Sequence, residues 1–367
     1  MKKRVFILTC ESPNQAGGVE HMVRELMKGL GARGYGVEIF HRENSMPRWL
    51  KSFSGRIGRK ISSNLLGAYV GMHAQRRMDT DVVAVISNSD VGYYPLKFSK
   101  ASCKLIHFYH GTYRGQAEAI RPLITYPGYL YLKWLNSMVT ERCSGRGKLV
   151  LCNSEQTREE VEHFFGIDGL AMYLPMDTSN FRVLDSGQCR REIGLPDLGP
   201  VGLFAGNVSP MKNFAIVQRL IDTLDDIQWL VVLRGDVPRR LNGRPHVRIF
   251  QDVSHQKLPV IYSAADFAVC PSLYEPFGYV VAEALACGTP AIASPGGASR
   301  LFLRRPTLDR LLISAPDAFD EFLSAVRDVV REPELYRRAV IEFARPRVEE
   351  WMAPQNWWRR FFEITGL

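Results

Sequence analysis

Glu275-Pro-Phe-Gly-Tyr-Val-Val-Ala-Glu283 holds two carboxylates with seven residues between them. The first stands in a Pro/Gly turn, the second on the helix expected to follow. Val269-Cys270-Pro271-Ser272 before it reads as a buried strand ending in a loop. Ala284-Leu285-Ala286-Cys287-Gly288-Thr289-Pro290 after it reads as a short apolar helix stopped by Gly and Pro. A strand, a turn at Gly278 and a helix N-terminus form an anion site, because backbone N–H groups and the helix dipole face whatever binds there. A carboxylate one turn into that helix disfavours the same anion. It suits a neutral polyol such as a ribose or a sugar ring.

Outward from this stretch, short β-branched and apolar runs alternate with helical patterns. The first half shows Val5–Leu8, Val37–Phe40, Val82–Ile86, Leu105–Tyr109, Leu149–Cys152 and Ala171–Leu174. The second shows Val201–Ala205, Trp229–Leu233, Val247–Phe250, Phe267–Cys270, Ala291–Ala293 and Leu311–Ile313. Runs without polar alternation read as parallel strands buried on both faces. Helical stretches between them include Val19–Leu30, Glu155–Phe164 with Ser154 as N-cap, Phe214–Leu224, Val280–Ala286 and Ala318–Val330. The class is α/β, with two doubly wound domains, 1–180 and 181–349. Gly187, Gly194, Pro196 and Gly199 punctuate the junction.

The 367 residues suffice for two cores. No apolar run is long enough to span a bilayer, and Met1–Cys10 reads as a first strand rather than a signal peptide. Seven cysteines without a C-x-x-C pair argue for reduced thiols, a cytoplasmic location and no zinc site. Net charge is +9 and unevenly spread. Between Arg42 and Met78 stand eight basic residues, Arg42, Arg48, Lys51, Arg56, Arg59, Lys60, Arg76 and Arg77, opposed only by Glu43. Trp49, Leu50, Phe53, Ile57, Ile61, Leu65 and Leu66 interleave with them. The segment reads either as attachment to an anionic membrane surface or as an amphipathic helix with a solvated basic face. No nucleic-acid-binding motif accompanies the charge.

Three further groups follow strand ends. Gly17-Gly18-Val19-Glu20 opens a helix after the first run, where glycines let a ligand approach the backbone. His110, in Tyr109-His110-Gly111-Thr112, stands at the carboxyl end of a parallel strand, where α/β ligands bind. His107 reads as structural. Gly206-Asn207-Val208-Ser209-Pro210-Met211-Lys212-Asn213 follows the first strand of the second domain. The one Asp-x-Asp, Asp79-Thr80-Asp81, precedes a strand and so lies away from the ligand edge.

The string Pro-Ser…Glu-Pro-Phe-Gly…Glu-Ala…Gly-Thr-Pro resembles the E-x7-E signature of the family 4 retaining glycosyltransferases. The resemblance implies the GT-B fold, two Rossmann-like doubly wound domains facing a central cleft. The first would bind the acceptor and the second the nucleotide sugar, with the aromatic helix 350–367 crossing back to the first. It implies that Lys212 and the backbone near Phe277, Gly278, Tyr279 and Val280 hold the donor diphosphate. Glu283 would bind the ribose, Glu275 the transferred sugar, and His110 that sugar from the first domain. Gly17 and Gly18 would sit close to donor and acceptor, and Gly206 and Asn207 would belong to the donor-binding residues.

The departures are specific. Asn207 stands where the family has an Arg, and Arg234 at the next strand end is a candidate substitute for it. Arg300 stands where the family commonly has a Glu after Gly296-Gly297, and Val237 where a second Gly often follows Gly235. The function implied is transfer of a sugar from a UDP- or GDP-sugar to a glycan or lipid-linked acceptor, with neither cofactor nor metal. A cytoplasmic, membrane-peripheral enzyme of envelope polysaccharide, lipopolysaccharide or glycolipid synthesis fits. Readings from other classes are a nucleotide-sugar epimerase or hydrolase, a non-catalytic sugar-nucleotide-binding protein, and a basic nucleic-acid binder.

Overall fold

The computed structural model describes residues 3–15, 17–47, 58–96, 103–196, 199–241 and 243–367, and only the backbone of 58–65. The chain divides into two compact units, Met1–Pro175 with Trp357–Leu367, and Met176–Asn356.

The first unit is a parallel sheet of β1 (Arg4–Leu8), β2 (Gly36–Phe40), β3 (Val82–Asn88), β4 (Lys104–Tyr109), β5 (Leu149–Cys152) and β6 (Leu170–Ala171). Their order is β2-β1-β3-β4-β5-β6. Val5, Phe6 and Ile7 on successive positions of β1 are all fully buried, as a strand covered on both faces requires. Helix Gly18–Ala32 covers the sheet with Met22, Val23, Leu26 and Leu30, which helical periodicity sets on one face. The run expected over Ala171–Leu174 pairs only at Leu170–Ala171. β5 ends at Cys152, so the next residues have no continuing partner strand, although Met172 N–H still donates to Cys152 O at 2.7 Å.

Helix Pro354–Thr365 buries Trp357, Trp358 and Phe361. Trp358 packs against Gly29, where any Cβ would collide with the indole. The Arg33 guanidinium sits 4.9 Å from the Trp358 ring and 4.6 Å from the Phe362 ring. Trp357 Nε1 donates to Tyr173 O at 2.7 Å. Each such aromatic contributes about 2–3 kcal/mol of burial, so these side chains tie the chain's end to the first unit.

The second unit is a parallel sheet of β7 (Val201–Gly206), β8 (Gln228–Leu233), β9 (Val247–Gln251), β10 (Phe267–Cys270) and β11 (Ala291–Ala293), in the order β11-β10-β7-β8-β9. The expected strand Leu311–Ile313 does not form. Asp309–Leu311 is a 3₁₀ turn, and Leu312 makes a single bridge to Ala293. β11 is too short to pair further, and Pro295 beyond it has no N–H to give a ladder. In each sheet the strand order reverses once, between β1 and β3 and between β7 and β10. Ligands of open α/β sheets bind at the carboxyl ends of such neighbours.

Of the basic segment, residues 48–57 lie outside the described residues, as do the side chains of Arg59, Lys60, Ile61 and Leu65. Gly58–Arg76 is helical, and Leu66, Val70 and Ala74 pack into the core on β1 and β3. No helix among the described residues is long and apolar enough to cross a membrane.

Candidate active site

In the second unit the chain leaves β7 at Gly206 and the adjacent β10 at Cys270. The two loops meet. Lys212, from the first loop, forms an ion pair with Glu275 Oε2, from the second. Ser272 Oγ donates to the same oxygen at 3.1 Å. Burial opposes the Lys212 charge, but pairing with Glu275 outweighs it and holds the ammonium above its ordinary range. The Glu275 carbonyl accepts from Gly297 N–H at 3.0 Å, which anchors the turn against Gly296-Gly297. Asn207 is exposed and its Oδ1 accepts from Ser209 N–H at 3.2 Å, so it shapes the loop. Arg234 is exposed at the end of β8, its N–H bonded to Gly206 O at 3.0 Å. This sets the Arg234 backbone beside Gly206, the residue before Asn207.

Helix Tyr279–Ala286 begins at Gly278, whose φ of 94° favours glycine and which carries no side chain to cap the first-turn amides. That helix end lies next to Glu275, since a Cβ at Gly278 would stand 3.3 Å from Glu275 Cγ. Phe277 is buried and its ring packs at 4.6 Å on Tyr279, so it supports the turn, while Tyr279 and Val280 are half-buried. Glu283 is buried and has partners of its own. Its Oε2 accepts from Tyr262 Oη at 2.8 Å, and His255 Nε2 lies 3.6 Å from Oε1. Burial, then the Glu283 charge, keeps the Tyr262 phenol well above its ordinary range, so it stays a donor. Arg300 is half-buried on helix Gly297–Phe302.

In the first unit Gly17 is the N-cap of helix Gly18–Ala32, with the Glu20 carboxylate folded against it. His110 follows β4 and its Nε2 lies 3.0 Å from Asn88 Oδ1 at the end of β3. Asn88 Nδ2 donates to Leu8 O of β1 at 3.1 Å. Asp90 accepts from Cys10 Sγ at 2.9 Å and from Tyr113 Oη at 3.2 Å. Burial raises its carboxyl above the ordinary range. His107 is fully buried, with Nδ1 2.9 Å from Ser87 Oγ. Sequence reasoning does not single out Asn88, which meets His110, Asp90 two positions on, His255, which faces Glu283, or the contact of Ser272 with Glu275. The polar run Asn88-Ser89-Asp90, closing an apolar strand, is the available signal for the first two. No spacing rule links His255 or Tyr262 to Glu283.

Asp79 is bound by Arg4 at the amino end of β3. Among the described residues no group of three or more His, Cys, Asp or Glu is placed to hold a metal ion.

Residues 186–345 match the sequence model described as Glycosyl transferases group 1, and residues 16–173 the one described as Glycosyltransferase Family 4. The two matches cover most of both units, and the chain belongs to the family 4 glycosyltransferases. D-inositol 3-phosphate glycosyltransferase 2 of Catenulispora acidiphila is 27% identical over 335 residues, 77% of this chain and 75% of that one. Sucrose-phosphate synthase from Thermosynechococcus elongatus is 19% identical with a TM-score of 0.77, over 99% of this chain and 98% of that one. Anabaena Alr3699/HepE in complex with UDP-glucose is 16% identical with a TM-score of 0.68, over 99% and 100%. At those identities the solved structures speak to the fold, which is GT-B.

Proposed function

We propose that this glycosyltransferase moves a sugar, with retention at the anomeric carbon, from a UDP- or GDP-sugar to an acceptor hydroxyl without a metal ion. The observation that carries the reading is the division of labour in the second unit. A lysine and a helix N-terminus stand beside Glu275, and a second carboxylate, Glu283, is clamped by Tyr262 a turn further on. The diphosphate takes Lys212 and the amides at Gly278, which stabilise the leaving charge. As Lys212 turns to the phosphate, Glu275 is released to bind hydroxyls of the transferred sugar. Glu283 accepts from the ribose. The departing phosphate takes the acceptor proton on the same face, so no protein base is required.

The HepE complex with UDP-glucose supports the donor class. The acceptor is a glycan or lipid-linked saccharide of the cell envelope, presented to a cytoplasmic enzyme at the inner membrane face. The basic and apolar composition of Arg42–Met78 supports that location. The test is a donor panel screened for nucleotide release, with the product identified by mass. Release that rises with acceptor and yields a glycosylated product supports transfer. Release of free sugar alone makes the protein a hydrolase, and no release with any donor makes it a binding protein.

A further inference from the structure

The helical stretch around Tyr131–Glu141 is inside out. Its buried positions are Asn136, Ser137, Thr140 and Glu141, all polar. Trp134 is 58%, Leu135 43% and Val139 51% exposed. Leu123 at 55% and Tyr126 at 66% extend the apolar surface ahead of it. Five of the eleven large hydrophobic side chains exposed among the described residues thus fall within seventeen positions, which is a patch rather than the usual scatter. The wider π-helical winding brings residues four or five apart onto one side, so Trp134, Leu135 and Val139 share a face.

The charge along this segment is mostly basic, although Glu160 of a neighbouring helix accepts from Thr112 ahead of it. Arg121, Arg142 and Arg146 are exposed and Lys133 is half-buried. Of the two acids in residues 113–146, Glu141 is buried and Glu118 is paired with Lys133 at 3.0 Å. A second copy of this face would set these arginines against one another. A bilayer with anionic headgroups meets both features: Trp and Tyr rings favour the headgroup level, Leu and Val enter below it, and each basic side chain adds attraction.

We infer that the surface from Leu123 to Arg146 docks the first unit on an anionic lipid membrane. It rests on the membrane location proposed above and assigns that contact to a face separate from Arg42–Met78. Co-sedimentation of the full chain with phosphatidylglycerol-containing and pure phosphatidylcholine vesicles, at low and high salt, tests it. The wild type should bind the anionic vesicles, and salt should weaken the binding. Trp134→Ser/Leu135→Gln/Val139→Gln and, separately, Arg142→Glu/Arg146→Glu should each lower partitioning about ten-fold or more. Donor turnover on a soluble acceptor should stay unchanged in both, which keeps the docking surface distinct from the catalytic reading. Variants that bind like the wild type overturn the assignment, even with membrane binding intact through Arg42–Met78. Absence of wild-type binding overturns it too. So does a wild-type dimer that the triple variant dissolves, which would make the occupant a second copy.

Discussion

His110 Nε2 lies 3.0 Å from Asn88 Oδ1, and that contact fixes the histidine tautomer. Asn88 spends its Nδ2 donor on Leu8 O, so Oδ1 must accept and Nε2 must carry the proton. Nδ1 is left as a buried acceptor with no partner among the described residues. Burial lowers the imidazole pKa to about 4, so it is neutral at physiological pH. In the proposed function this neutral histidine stands beside the transferred sugar.

His110→Gln should therefore reduce kcat/KM about 10–100-fold, the scale of one or two lost polar contacts to a hydroxyl. It should also change the pH dependence of stability. The unfolded imidazole titrates near 6.5 and the folded one near 4. Below 6.5 the unfolded chain binds a proton that the folded chain refuses, so stability is full above 6.5 and falls as pH drops towards 4. The raised Asp90 carboxyl has the opposite sign: its cost is relieved as acid protonates it in the fold. Urea denaturation on both sides of pH 6.5 reads the difference. Identical slopes for wild type and variant would remove the buried neutral histidine from the account.

The Lys212–Glu275 pair predicts non-additive stability. Removing either partner strands a largely buried charge, so Lys212→Met and Glu275→Gln should each destabilise by about 1–3 kcal/mol, and the double variant by less than their sum. Both single variants should lose most of the transfer rate, and the double variant should not regain it. Calorimetric titration with the free nucleotide diphosphate separates the roles, since Lys212→Met should weaken binding more than Glu275→Gln. Equal affinities would move the phosphate contact to Arg234 or elsewhere.

Tyr262→Phe removes the hydroxyl that holds Glu283 and should raise donor KM about ten-fold with a small change in kcat, because it acts through the ribose contact. Glu283→Ala should do more. Full donor affinity in both variants would leave Glu283 as a structural carboxylate of the second unit.

Turnover should persist in EDTA, with Lys212 and the Gly278 helix end supplying the positive potential for the leaving group. Activity that chelation abolishes and Mg²⁺ or Mn²⁺ restores would contradict this.

Both parallel sheets, and the loops that carry chemistry, are legible in the residue order. A strand covered on both faces needs apolar side chains at every position, and Trp229-Leu230-Val231-Val232-Leu233 of β8 shows such a run without any context. Gly278 between the two glutamates marks a strand-turn-helix for a similarly local reason, since the turn needs a positive φ. The weak runs Ala171–Leu174 and Leu311–Ile313 mislead because apolar content does not supply a strand to pair with.

Which side chains meet is a property of the fold. Strand order sets β10 beside β7, and this joins Lys212 to Glu275 across 63 positions of sequence. It sets β3 between β1 and β4, which links Asn88 to both Leu8 and His110 and brings Cys10 to Asp90. The clamp of Tyr262 on Glu283 and the outward turn of Trp134, Leu135 and Val139 have no sequence signature either. A local pattern reports how apolar a segment is and how the chain bends. Neighbours depend on the order in which distant strands pair, and whether an apolar face is covered depends on what the rest of the chain leaves to cover it.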